Sequence, residues 1–248
     1  MCLIALAWHA HPEYELIVAA NRDEFHARPA QDAGWWLDHP DVLAGRDLLA
    51  GGSWFAVTRS GRFATVTNYR EQSFTRSDLK SRGALVTNFV VGGQSPSRYS
   101  RGLDDADYAG FSLLTADRDT VSYVSNRGDS QTDLGAGIYG LSNAALDTPW
   151  AKVNRSKKRL RELIDEDAVS ADALFEILSD RETADEDANS EHLSPKQARA
   201  ITAPFIVADE YGTRCSTVLL RRHSGKTEFR EQRFNSIGEP EGISRFSF

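Results

Sequence analysis

A cysteine directly after the first methionine and the polar tetrapeptide Asn21-Arg22-Asp23-Glu24 are the parts of this sequence best suited to chemistry. The thiolate form of Cys2 is a soft nucleophile. Once Met1 is removed, the same residue also carries an α-amine, with an ordinary pKa of about 7.7–8.0 beside a thiol of about 8.5. Nucleophile and base then share one residue, one of the variants of the nucleophile–base pair. Arg22 brings a fixed positive charge that lowers a nearby thiol pKa, and Asp23 a carboxylate that orients an α-ammonium. Together these groups point to acyl transfer from an amide or thioester carbonyl to Cys2 and then to water.

Such a cluster needs elements that bring its members together. Met1–Trp8 and Leu16–Phe25 are apolar runs around the break His9-Ala10-His11-Pro12-Glu13, which reads as a hairpin of two buried strands. The start of one antiparallel strand lies beside the end of the next, so Cys2 is expected near Asn21–Glu24. Further hairpins are expected at 53–58 with 62–68 and at 110–116 with 121–126, and single strands at 137–143, 203–207, 213–220 and 228–234. Asn68 and Asn143 end two of these runs, where turn formation is their ordinary role.

One helix is expected from Ser81 as N-cap to Gly92-Gly93, with Leu85, Phe89 and Val90 inward. A second is expected from Pro149 to Ile164, with Thr148 as N-cap, Val153, Leu160 and Ile164 on one face, and lysines and arginines on the other. Short helices fit Leu174–Leu178 and the start Ser194-Pro195. About ten strands, mostly in hairpins, with helices grouped between them give an α+β class of two antiparallel sheets with helices outside. The chain reads as a single domain over 1–248, with an acidic surface segment at about 165–191.

A net charge of −7 argues against a nucleic-acid surface, and no run of 18 apolar residues suggests a membrane span. The first strand is too short and lacks the basic flank of a secretory signal, so a cytoplasmic protein is expected. Two cysteines, Cys2 and Cys215, suit a reducing compartment, with Cys215 as core filling. His9 and His11 are expected as surface turn residues, and no set at metal-ligand spacing accompanies them. Trp35 and Trp36 cannot both point inward from one strand, leaving one for a groove.

The chain resembles the NRDE family, also called the transport and Golgi organisation family. The resemblance rests on blocks in order along the chain: Met1-Cys2-Leu3-Ile4, Ala7-Trp8-His9, Ala19–Phe25, Gly51-Gly52-Ser53-Trp54, Gly61-Arg62-Phe63-Ala64, Thr67-Asn68-Tyr69-Arg70, Ser81-Arg82-Gly83, Gly140-Leu141-Ser142-Asn143 and Tyr211-Gly212-Thr213-Arg214. It implies an N-terminal nucleophile hydrolase fold, a four-layer αββα sandwich. A more remote similarity to the choloylglycine hydrolase group implies Cys2 as nucleophile, Asn68 and Asn143 as oxyanion-hole donors, and Arg214 as a late active-site arginine. That group spaces its second-strand Arg and Asp three apart, whereas Arg22 and Asp23 are adjacent, so Asp23 or Glu24 takes the acidic role. The implied activity is hydrolysis of C–N amide bonds in a small-molecule substrate without a cofactor. The alternative is a non-enzymatic carrier of a hydrophobic ligand such as haem, a lipid or acyl-CoA.

Overall fold

The computed structural model describes residues 2–70, 79–128, 131–185 and 194–248. The chain forms two compact units. One comprises 1–27, 136–142 and 147–248, the other 28–135 and 143–146.

The first unit holds a six-stranded antiparallel sheet built from β1 (Cys2–Trp8), β2 (Tyr14–Phe25), β10 (Gly137–Leu141), β11 (Tyr211–Arg222), β12 (Thr227–Phe234) and β13 (Pro240–Ser247). Its strand order is β10-β1-β2-β11-β12-β13. The expected hairpin is therefore β1–β2, and the long β11 returns from far along the chain to pair with β2. On one face lie α3 (Ala151–Asp165) and α4 (Ala171–Leu178). Ala5, Ala7 and Ala19 keep that face low, so Leu160, Leu174 and Ile177 pack onto it with Ile17, Val218 and Leu220. A Cβ on Gly140 would meet Val153 Cγ1 at 2.6 Å, so a side chain there would push α3 off the sheet.

The second unit is a meander, β3 (Ala30–Trp35), β4 (Val42–Asp47), β5 (Phe55–Thr58), β6 (Phe63–Asn68), β7 (Phe111–Ala116), β8 (Val121–Ser125) and β9 (Thr132–Asp133), paired in chain order. Helix α1 (Gly83–Val91) lays Leu85, Val86, Phe89 and Val90 on Ala44, Ala56, Ala64 and Val66. The Arg62 guanidinium donates to Phe89 O at 2.7 Å and Gln94 O at 2.8 Å, closing the C-terminal turn of α1. The short α2 (Pro96–Arg101) follows. α5 (Pro195–Ala200), in the first unit, is capped by Ser194 and Gln197 in a reciprocal box.

Several sequence expectations are corrected. Strands β3, β4, β9 and β13 lie outside the expected set. Residues 203–207 form a turn with a single bridge, Val207 to Gly212, because Pro204 has no N–H for a ladder and Phe205 N donates to Asp180 O. Helix α3 starts at Ala151 with Trp150 as N-cap, since Trp150 N donates back to Thr148 O and keeps Pro149 in a turn. The N-cap of α1 is Arg82, and the Ser81 hydroxyl accepts from Gly83 N instead. Lys152 sits on the buried side of α3 with Val153, Ser156 and Leu160, while Ile164 is only half-buried. Within the acidic stretch, α4 buries Leu174, Ile177 and Leu178 as part of the core. Glu186 to Glu191 fall outside the described residues.

Candidate active site

Strand alternation divides the tetrapeptide. Asn21 and Asp23 point to the helix-covered face of the first unit's sheet, and Arg22 and Glu24 to the opposite face. Cys2 is the direct cross-strand partner of Arg22 on β1, and Cys215 is its partner on β11. Arg233 on β12 faces Cys215, and Gly242 on β13 faces Arg233. One row of the sheet thus reads Cys2, Arg22, Cys215, Arg233, Gly242. The next row inward reads Ile4, Ala20, Thr217, Glu231, Ser244.

Cys2 keeps part of its surface open at the start of β1, and the Ser142 hydroxyl holds its carbonyl at 2.7 Å. Enough protein surrounds the thiol that burial pushes its pKa up; the Asp23 charge adds to this, and the Arg22 charge works against it. The thiol is therefore protonated at neutral pH and needs a base to react. Cys215 is buried, and burial followed by the neighbouring Glu231 carboxylate raises its thiol well above the ordinary range.

On the helix face Asn21 is fully engaged. Its Nδ2 donates to Leu178 O and to Pro204 O, both at 2.8 Å, and its Oδ1 accepts from the Ser216 hydroxyl at 2.6 Å. It ties the end of α4 and the 203–206 turn to the sheet. Asp23 accepts from the Thr213 hydroxyl at 2.7 Å, and its carbonyl accepts from the Tyr211 hydroxyl at 2.8 Å. Burial raises the Asp23 carboxyl, opposed by the Lys152 charge and the Thr213 bond. Lys152, itself 1 % exposed, donates to Ile201 O at 3.1 Å. Glu24 turns its carboxylate onto the adjacent Phe25 N. Of the two acidic residues, Asp23 is the buried one, set among groups of opposite charge.

Arg214 is the extra residue of a β-bulge between Thr213 and Cys215. Its guanidinium donates to Phe25 O at 3.1 Å and His26 O at 2.8 Å, bracing the end of β2. In the second unit the Asn143 side-chain amide donates to Asn68 O at 2.8 Å, and Asn143 O accepts from Arg70 N at 2.7 Å. The two asparagines that the resemblance singles out are thus direct partners. Asn143 follows Ser142, the residue that holds the Cys2 carbonyl.

Lys152, Thr213 and Ser142 are parts of this constellation that the sequence reading assigned no role. Thr213 and Ser142 stand in the segments Tyr211-Gly212-Thr213-Arg214 and Gly140-Leu141-Ser142-Asn143, beside Arg214 and Asn143. His11 corrects the surface expectation: it is buried, and its Nδ1 accepts from Glu13 N at 3.0 Å and Tyr14 N at 3.3 Å. The motif is a turn-closing side chain packed under the β1–β2 hairpin. His9 is exposed and stacks on His223, ring centroids 5.6 Å apart. Of the tryptophan pair, Trp36 is buried with its Nε1 donating to Ala44 O at 3.1 Å, and Trp35 carries the Arg59 guanidinium on its ring. Among the described residues no three His, Cys, Asp or Glu side chains form a set able to hold a metal ion. Among them, too, no helix is long and apolar enough to cross a membrane.

The family model described as Transport and Golgi organisation 2 matches residues 1–236. The chain belongs to that family. It is 34% identical to the Transport and Golgi organization protein 2 homolog of Bos taurus, covering 94% of this chain and 92% of the bovine protein. By structure, the chain is similar to a mutant of conjugated bile acid hydrolase from Clostridium perfringens, with a TM-score of 0.55 at 8% identity over 99% of this chain and 92% of that one. It is also similar to the Caenorhabditis elegans ortholog of N-acylethanolamine-hydrolyzing acid amidase, with a TM-score of 0.50 at 11% identity over 88% and 92%. At these identities the likeness establishes the N-terminal nucleophile hydrolase fold for this family member, in agreement with the two antiparallel sheets and their helices.

Proposed function

We propose that the chain is a cysteine-dependent hydrolase of amide or related acyl bonds, with Cys2 as nucleophile and its own α-amine, freed by loss of Met1, as base. The observation that carries this reading is Cys2 at the open start of β1, directly across from Arg22, in a fold shared with an acid amidase and a bile acid hydrolase. Because burial keeps the thiol protonated, the α-amine takes its proton as sulfur attacks the carbonyl carbon. A C–S bond forms and the carbonyl oxygen becomes an oxyanion. On collapse the C–N bond breaks, and the leaving amine takes the proton from the α-ammonium. Water then attacks the thioester, giving its proton to the α-amine, and the acid departs as the thiol is restored.

In this reading Arg22 favours the thiolate, Asp23 orients the α-ammonium, and Ser142 fixes the Cys2 backbone. The resemblance gives the oxyanion to Asn68 and Asn143, where losing one donor costs about 10²-fold or more in kcat. Arg214 braces the bulge that lets Thr213 meet Asp23 while Cys215 returns to the row of Arg22.

The test is hydrolysis of a panel of N-acyl amides, among them an N-acylethanolamine and a glycine-conjugated bile acid. Wild-type protein and Cys2→Ala are compared, with the mature N-terminus read by mass spectrometry. Turnover that requires both Cys2 and removal of Met1 is expected. Turnover retained by Cys2→Ala, or active protein that keeps Met1, would overturn the reading.

A further inference from the structure

Glu231 is 2 % exposed on β12, an unusual place for a carboxylate, and it lies on the same face of the first unit's sheet as Cys2 and Arg22. Its cross-strand partner is Thr217, whose hydroxyl lies 3.3 Å from Glu231 Oε2. The carboxylate therefore leans over β11, toward β2. Arg233, one row away on the same strand, leans the other way. Its guanidinium donates to the Ser244 hydroxyl at 3.1 Å and lies across Gly242, where a Cβ would come within 2.3 Å of Nη2. The Glu231 carboxylate thus faces the Arg22 row.

On β11, between Glu231 and Arg22, stand Cys215 and Thr217, both small. Neighbouring strands are about 4.8 Å apart, so the backbones of β2 and β12 are about 10 Å apart, a gap that an arginine and a glutamate close from either side. A buried guanidinium is stable only against a carboxylate or several acceptors. Arg22 is buried, and its charge and the Glu231 carboxylate both act on the Cys215 thiol that stands between them.

We propose that Glu231 is a positioning residue for the nucleophile: its carboxylate anchors the Arg22 guanidinium over β11 and so fixes where the positive charge beside Cys2 sits. The inference rests on Cys2 being the nucleophile. It acts through Arg22, with no contact between Glu231 and substrate.

The sign of the effect separates positioning from simple proximity. If Glu231 acted only as a nearby negative charge, its neutralisation would make the Cys2 thiol easier to ionise and faster to alkylate. If it anchors Arg22, neutralisation releases the guanidinium and Cys2 becomes slower to alkylate.

The experiment measures iodoacetamide labelling of the full chain against pH, with Cys2 and Cys215 peptides quantified separately by mass spectrometry. Wild type, Glu231→Gln and Glu231→Asp are compared, each also in an Arg22→Gln background, with folding followed by circular dichroism. Glu231→Gln is expected to slow Cys2 labelling at neutral pH about threefold or more and move its midpoint upward, with Glu231→Asp intermediate and no effect once Arg22 is gone. If the Gln variant does not fold, the Asp variant reads the same sign. Unchanged or faster Cys2 labelling, or an equal effect without Arg22, would overturn the proposal. Failure of the hydrolase reading is seen separately, as wild-type protein that cleaves no amide while Cys2 labelling still follows Glu231.

Discussion

The two faces of the first unit's sheet treat the same tetrapeptide in opposite ways. On the helix side, Asn21 and Asp23 are locked into bonds with Leu178, Pro204, Ser216 and Thr213, and Lys152 comes down from α3 to share the charge. On the other side, Arg22 lies between two thiols on neighbouring strands. Those thiols differ in one respect that matters. Cys2 opens a strand and is partly exposed, whereas Cys215 is in mid-strand and buried. A fixed positive charge in the next strand is common to both, so charge alone does not select the nucleophile; access and the α-amine do.

Each face can be broken by itself. The largest effect belongs to Cys2→Ala, which is expected to lower amide turnover ~10³-fold or more while leaving thermal stability nearly unchanged. Next comes Lys152→Met on the helix face. It strips a buried carboxylate of an opposing charge and is expected to cost about 3 kcal/mol in urea unfolding. Asn21→Ala strands two buried carbonyls and the Ser216 hydroxyl, for an expected loss of about 2 kcal/mol by the same measurement.

Asp23→Asn sharpens the contrast, because it is expected to cost activity and to change how stability depends on pH. Burial holds the folded carboxyl above its ordinary value of 3.8, so between that value and the raised one the folded state binds more protons than the unfolded state. Stability from this group is therefore largest below pH 3.8 and falls as pH rises through the raised value. Asparagine keeps the Thr213 bond and removes the titrating group, leaving the buried Lys152 charge without it. Loss of turnover, together with loss of the fall in stability that wild type shows as pH rises through that window, is the expected outcome. The smallest effect is that of Cys215→Ala, whose turnover should stay within about threefold of wild type if Cys215 is a packing residue in the row of Arg22.

The sequence showed the β1–β2 hairpin clearly, because two apolar runs around a short polar break are a local signal, and that alone puts Cys2 beside Arg22. The partner on the other side was not legible. Residues 22 and 215 meet only because β11 pairs with β2, and pairing across so much chain leaves no periodicity to read. β3 and β13 were hidden for a different reason. Ala30–Trp35 and Pro240–Ser247 are edge-region strands rich in polar and small residues, which lack the β-branched alternation that marks a half-buried strand. Lys152 departs from the rule that lysines of an amphipathic helix face solvent: it is buried, donates to Ile201 O, and its charge opposes the raised Asp23 carboxyl. The resemblance marked Asn68 and Asn143, and the structure adds that the second holds the first.

The most direct measurement is mass spectrometric mapping of the acyl group after brief exposure of purified protein to a p-nitrophenyl acyl ester. The expected result is a processed chain that begins at Cys2 and carries the acyl group on that residue, with none on Cys215 and none in Cys2→Ala. An acyl group on any other residue, or none on protein that turns the ester over, would contradict Cys2 as the nucleophile.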